Sequence, residues 1–286
     1  MIYKSAKNWK GARHKRVMLF AMSGLGKTHI SEMLRASGNW FHYSVDYRIG
    51  TRYMGEHITD NFKREAMNNP FLAELLRSDA IYIASNLRFH DLSPLSTYLG
   101  KPGDPAKGGI ALKEYIKRQR QHRDAEFNAM KDTVHFIDRA QALYAYDHFV
   151  CDTSGSLVEV VDADDPNDPV MSLVSQHLLP VWIEGGPDHR ATLIERFSAA
   201  PKPMYYTEAF LLECWNGYLK ETGVAEDKVN PDDFIRWGYA RLIGDRLPRY
   251  AKIAKRWGVT ISADDAAELT SEDKFVAAIG AALEAQ

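Results

Sequence analysis

Short apolar runs bounded by polar and turn residues recur along the chain at 16–21, 40–46, 148–152, 180–184 and 259–262. Between them lie longer stretches in which apolar residues return every three or four positions. The short runs predict buried strands and the longer period predicts amphipathic helices, so their alternation predicts an α/β fold, a parallel sheet covered by helices. Roughly a hundred residues separate the second run from the third, far more than a usual connection. Helical patterns at about 60–77, 110–131 and 133–146 fill this stretch and predict an inserted helical subdomain over 50–147. Within it Pro94, Gly100, Pro102, Gly103, Pro105, Gly108 and Gly109 mark an irregular loop, read as a mobile or substrate-covering element. A second helical stretch over about 204–257 precedes the last run, and a final helix is expected from Ser271. The remaining parts, 1–49 and 148–286, form the expected core.

The first apolar run leads directly into Ala21, Met22, Ser23, Gly24, Leu25, Gly26, Lys27 and Thr28, and a helical pattern follows. A strand, a glycine turn and then Gly-Lys-Thr opening a helix form a phosphate-binding P-loop, because the N–H groups at the helix start point at an anion. Gly24 and Gly26 let the backbone bend close to phosphates with no Cβ in the way. The Lys27 ammonium reaches the β and γ phosphates, and the Thr28 hydroxyl is placed to ligate Mg²⁺. The motif departs from the usual pattern once, with Ala21 where glycine opens the loop, so the backbone there should need only negative φ. A plain helix cap behind a glycine turn is the competing reading.

With 45% hydrophobic and 26% charged residues in 286, the chain is a globular one of one large domain or two. Its net charge of −2 argues against a protein built to coat nucleic acid or an anionic membrane. Cys151 and Cys214 are read as reduced thiols, which with the absence of a membrane-length apolar run leads to an expected cytoplasmic location. The basic N-terminus, with Lys4, Lys7, Lys10 and Arg13, is read as a solvated leader.

Three stretches resemble the P-loop small-molecule kinases, the group of shikimate kinase, gluconate kinase and the nucleoside monophosphate kinases. The first is the loop from Met22 to Thr28; the second is 41–49, where a strand ends in Asp46 ahead of a short helix; the third is 181–186 with the helix that follows. The passage from Arg246, Arg249 and Tyr250 through 258–261 to the last helix is similar to the end of the adenylate kinases. The resemblance covers about half the chain and leaves 50–147 unmatched. It implies a five-stranded parallel sheet in the order 2-3-1-4-5, ATP with Mg²⁺, and transfer of the γ-phosphate to a small hydroxylated acceptor. It assigns Asp46 to the acceptor hydroxyl as base or orienting group; a helix cap is the alternative.

Asp152, ending the third run, reads as a carboxylate that holds Mg²⁺ together with Thr28. Guanidinium groups bind phosphate oxygens in pairs, which makes the arginines candidates: Arg48 and Arg52 for an acidic or phosphorylated acceptor, Arg196 and Arg246 for the nucleotide, and Arg249 with Lys27 for charge in the transition state. Lys113, Lys117, Arg118, Arg120 and Arg123 form the strongest basic patch, read as a solvated helix face, with a phosphate-gripping cover or a dock for RNA ends as the alternative. The acidic segment 162–168 reads as a solvated turn, and the histidines lack metal-ligand spacing. An ATPase coupling hydrolysis to a conformational change or partner is the second reading of the chain, and a nucleotide-binding module without turnover the third.

Overall fold

The computed structural model describes residues 1–285, and its chain divides into two compact units. Unit 1 comprises Met1–Val45, Glu126–Pro201 and Arg236–Gln286; unit 2 comprises Asp46–Ala125 and Lys202–Ile235.

Unit 1 is built on strands β1 (Arg16–Phe20), β2 (Trp40–Ser44), β3 (His148–Asp152), β4 (Leu179–Glu184) and β5 (Val259–Ser262). All neighbours pair in parallel, in the order β2-β3-β1-β4-β5. Parallel strands need crossovers that cover both faces, so a central strand should be apolar without alternation. In β1, Val17, Met18, Leu19 and Phe20 are all fully buried. Register sets Leu19 and Ser44 opposite Asp152, so the carboxyl ends of β1, β2 and β3 come level. The helices of unit 1 are α1 (Ala6–Gly11) and α2 (Lys27–Ala36), the later parts of two long helices, and four further ones. Those four are Pro169–Val174, Pro187–Ala199, Ala263–Ala267 and Glu272–Glu284. The basic N-terminus thus forms a short helix, fixed by the Trp9 indole donating to the Val276 carbonyl at 2.8 Å. Cys151 and Cys214 are buried thiols outside any disulfide, and burial pushes the Cys151 thiol up.

Unit 2 holds α3 (Val45–Arg48, after its first residue), a π-helical turn Ile49–Tyr53, α4 (Gly55–Met67), α5 (Pro70–Arg77) and α6 (Ser93–Leu99). It also takes the first part of α7 (Leu112–Tyr144). With α8 for Pro169–Val174 and α9 for Pro187–Ala199 in unit 1, unit 2 adds α10 (Glu208–Thr222) and the start of α11 (Pro231–Trp257). Within unit 2 the Tyr115 hydroxyl donates to the Met204 carbonyl at 2.7 Å, and the Gln119 amide oxygen accepts from Tyr206 N at 2.8 Å. These bonds tie 202–207 to α7.

Several expected boundaries move. The patterns at 110–131 and 133–146 are one helix, α7, because neither glycine nor proline interrupts 112–144. Residues 126–147 therefore go with the sheet rather than with an insert 50–147: the Tyr43 hydroxyl donates to the Ala129 carbonyl at 2.7 Å. Conversely, 202–235 groups with unit 2. Strand β2 stops at Ser44, and Asp46 falls in the first turn of α3, where a carboxylate suits the positive end of the helix. Asn69-Pro70 splits 60–77 into two helices, with the Asn69 side chain capping the second. Among the described residues no helix is long and apolar enough to cross a membrane.

Candidate phosphate-binding site

The loop from β1 to α2 turns through two left-handed glycines, Gly24 at φ 92° and Gly26 at φ 94°. A side chain is strained in that region, so both positions call for glycine. Ala21 has no such φ, and alanine opens the loop without strain. Lys27, in the first turn of α2, is 6% exposed, and its ammonium donates to the carbonyls of Ala21 at 3.1 Å and Met22 at 3.4 Å. The Thr28 hydroxyl donates to the Asp152 carboxylate at 2.8 Å. Asp152 is 5% exposed and has His42 Nε2 at 3.6 Å. A carboxylate and a hydroxyl at the N-terminus of α2 are hard oxygen donors of the kind Mg²⁺ takes, and a helix start favours an anion, so the residues present fit a magnesium nucleotide. The end of β3 and the start of α2 thus bring Thr28 and Asp152 together, with Lys27 next to Thr28 in the chain.

Strand order and loop geometry decide the architecture. The fold is that of a P-loop kinase. No known family profile and no curated protein matches the sequence. Among solved structures the chain is similar to shikimate kinase from Bacteroides thetaiotaomicron, over 95% of this chain and 97% of that chain, at 14% identity with a TM-score of 0.39. That overlay is too loose to transfer a residue role, so the P-loop kinase fold here stands on the sheet order and the loop.

A polar layer that the sequence reading missed supports the cradle. The loop after β3 lies against the P-loop: a Cβ on Gly155 would stand 3.0 Å from Ser23 N, so only glycine fits undisturbed. The Thr153 backbone N–H and hydroxyl both donate to the Leu19 carbonyl, at 3.1 and 3.0 Å. The Ser154 and Ser156 hydroxyls donate to the two carboxylate oxygens of the fully buried Glu126, Ser156 at 2.7 Å. From α11, Arg246 is 1% exposed and donates to Glu159 at 2.7 Å and to the Gly155 carbonyl at 2.7 Å. Burial alone would push the Arg246 guanidinium down; Glu159 first, with Tyr250 and Glu126, reverses this and holds it up. Arg249 donates to Asp245 at 2.9 Å, to Glu159 at 3.4 Å and to the Val158 carbonyl. The Tyr250 hydroxyl lies 2.7 Å from the Gly155 carbonyl and 3.3 Å from that of Ala21.

Other predicted residues fall elsewhere. Arg246, expected to meet the nucleotide, and Arg249, expected to balance charge in the transition state, have their donors engaged by Glu159, Asp245 and main-chain carbonyls. Arg196 is exposed on α9, a helix whose Leu193 approaches Gly24. Asp46, Arg48 and Arg52 belong to unit 2, where the Arg48 guanidinium stands 5.7 Å from the Tyr53 ring and Arg52 is exposed. The basic patch is not a plain solvated face. Arg118 is buried, donating to Glu114 at 3.0 Å and to the Tyr98 carbonyl, and Arg120 meets both Glu208 oxygens at 2.7 Å. In the acidic segment Asp168 is buried and caps α8, accepting from Val170 N and Met171 N.

Proposed function

We propose that the chain is a MgATP-dependent phosphotransferase acting on a small hydroxylated acceptor. The observation that supports it is the meeting, at the carboxyl edge of the sheet, of an anion-cradling loop, the Lys27 ammonium and the Thr28–Asp152 pair. On this reading Lys27 exchanges the carbonyls of Ala21 and Met22 for the β and γ oxygens of the nucleotide. Thr28 and Asp152 hold Mg²⁺, which when bound offsets charge on the phosphates. On the acceptor side Asp46 is the proposed group that takes the hydroxyl proton as the acceptor oxygen bonds to the γ-phosphorus and the bond to the β–γ bridging oxygen breaks, and Arg48 and Arg52 are the proposed partners of acidic groups on the acceptor. Arg196 is left as an exposed arginine available to the nucleotide, Arg249 as a charge near the β3 loop, and Arg246 as support for that loop. Because Arg118 and Arg120 already meet acidic or main-chain partners, the basic patch of α7 speaks against nucleic acid as the acceptor.

The test is MgATP turnover by the wild type and Lys27→Ala, with pools of hydroxylated metabolites and nucleosides, following ADP and free phosphate together. ADP without phosphate, appearing with one pool and abolished in Lys27→Ala, supports the kinase and names its acceptor class. Equimolar ADP and phosphate without any acceptor replaces it with an ATPase, and absence of Lys27-dependent turnover removes both.

A further inference from the structure

The Ala21 carbonyl, at the start of the P-loop, is fully buried and has two donors, the Lys27 ammonium at 3.1 Å and the Tyr250 hydroxyl at 3.3 Å. The Gly155 carbonyl also has two, the same Tyr250 hydroxyl at 2.7 Å and Arg246 Nη1 at 2.7 Å. A hydroxyl has one proton to donate, so Tyr250 serves one carbonyl fully at a time. As the chain stands, each carbonyl keeps a donor even without Tyr250. That balance changes if Lys27 turns to a triphosphate, because a residue as buried as Ala21 gains no water in exchange.

We infer that Tyr250 is a positioning residue whose hydroxyl proton passes from the Gly155 carbonyl to the Ala21 carbonyl as Lys27 leaves the latter for a bound nucleoside triphosphate. The inference rests on the phosphotransferase reading above. The transfer needs only rotation of the O–H about the ring C–O bond, and Arg246 keeps the Gly155 carbonyl paired throughout. Tyr250 is fully buried, and that burial pushes its phenol up, so the proton stays on the oxygen at neutral pH. Lys27 thus moves to the phosphates without stranding a buried acceptor.

Two measurements test this. Titration with a non-hydrolysable MgATP analogue should show Tyr250→Phe binding about tenfold more weakly than wild type, the cost of one buried unpaired carbonyl. Thermal unfolding without nucleotide gives a reading that a merely structural tyrosine would not: Tyr250→Phe should leave the midpoint close to wild type, yet lower it by roughly two to four degrees in a Lys27→Met background, where Ala21 has no other donor. Equal effects of Tyr250→Phe in the two backgrounds, or an unchanged Kd for the analogue, overturn the hand-over alone. Failure of the wild type to bind any MgATP analogue overturns the functional reading and the hand-over with it.

Discussion

Each unit of the molecule contains an arginine joined to a glutamate at 2.7 Å, and the two pairs have little else in common. Arg246 and Glu159 in unit 1 have side chains 2% and 0% exposed; Arg120 and Glu208 in unit 2 have side chains 65% and 39% exposed. Distance therefore does not rank them, and desolvation does. The exposed pair holds two long side chains in place against salt and water, and gains little. The buried pair has already lost its hydration, so each charge depends on the other remaining. Its dependants lie at the P-loop, since Arg246 also fixes the Gly155 carbonyl and Gly155 abuts the loop at Ser23.

Removing one buried charge should produce the largest effect. Glu159→Gln leaves Arg246 without its carboxylate and should cost about 3–5 kcal/mol in denaturant unfolding. A cost near zero would erase the contrast between the units. Gly155→Ala comes next: its Cβ has only 3.0 Å to Ser23 N, so the P-loop must shift, with a loss of about 1–3 kcal/mol and weaker nucleotide binding by titration. Full stability and unchanged affinity in this variant would detach the β3 loop from the site. Smallest is Arg120→Ala, which should leave the unfolding midpoint unchanged within error at neutral pH. Any small contribution of the pair shows itself in its pH dependence. The hydrogen bond from Arg120 lowers the Glu208 pKa in the folded chain from its ordinary value of 4.5, so what the pair contributes is present above that value and fades as pH falls through the lowered one. Any small difference between wild type and Arg120→Ala should thus shrink as pH falls through the lowered Glu208 pKa, and high salt should remove it at higher pH.

The same contrast explains what could be read from residues alone. The strands, their alternation with helices and the P-loop are local patterns, and β1, α2 and the Lys27, Thr28 and Asp152 constellation follow from them. Burial and long-range pairing are not local. Arg246 and Arg249 read as ligands for phosphate because a guanidinium near the last strand invites that role; their partner Glu159 is 87 and 90 residues away in the chain. Glu126 did leave a signal: it shares the helical spacing of Met130, Thr133 and Ile137, all buried, so a carboxylate stood on an otherwise core-facing stripe of α7. The split of α7 between units left none, since an unbroken helical pattern carries no mark of a change in neighbours. Asp46 was placed within two residues, but the start of α3 over the end of β2 was decided by tertiary context that a short apolar run does not specify.

The bond between Tyr250 and Ala21 spans 229 residues, which also sets an order of assembly during synthesis. At about 5–20 residues per second the P-loop leaves the ribosome roughly ten to fifty seconds before the helix that braces it. Strand β5, the sheet's last edge, follows that helix within the same few seconds. Throughout the synthesis of the stretch between Ala21 and Tyr250 the nascent chain therefore displays the phosphate loop without its brace, and the loop gains that brace only once α11 has emerged.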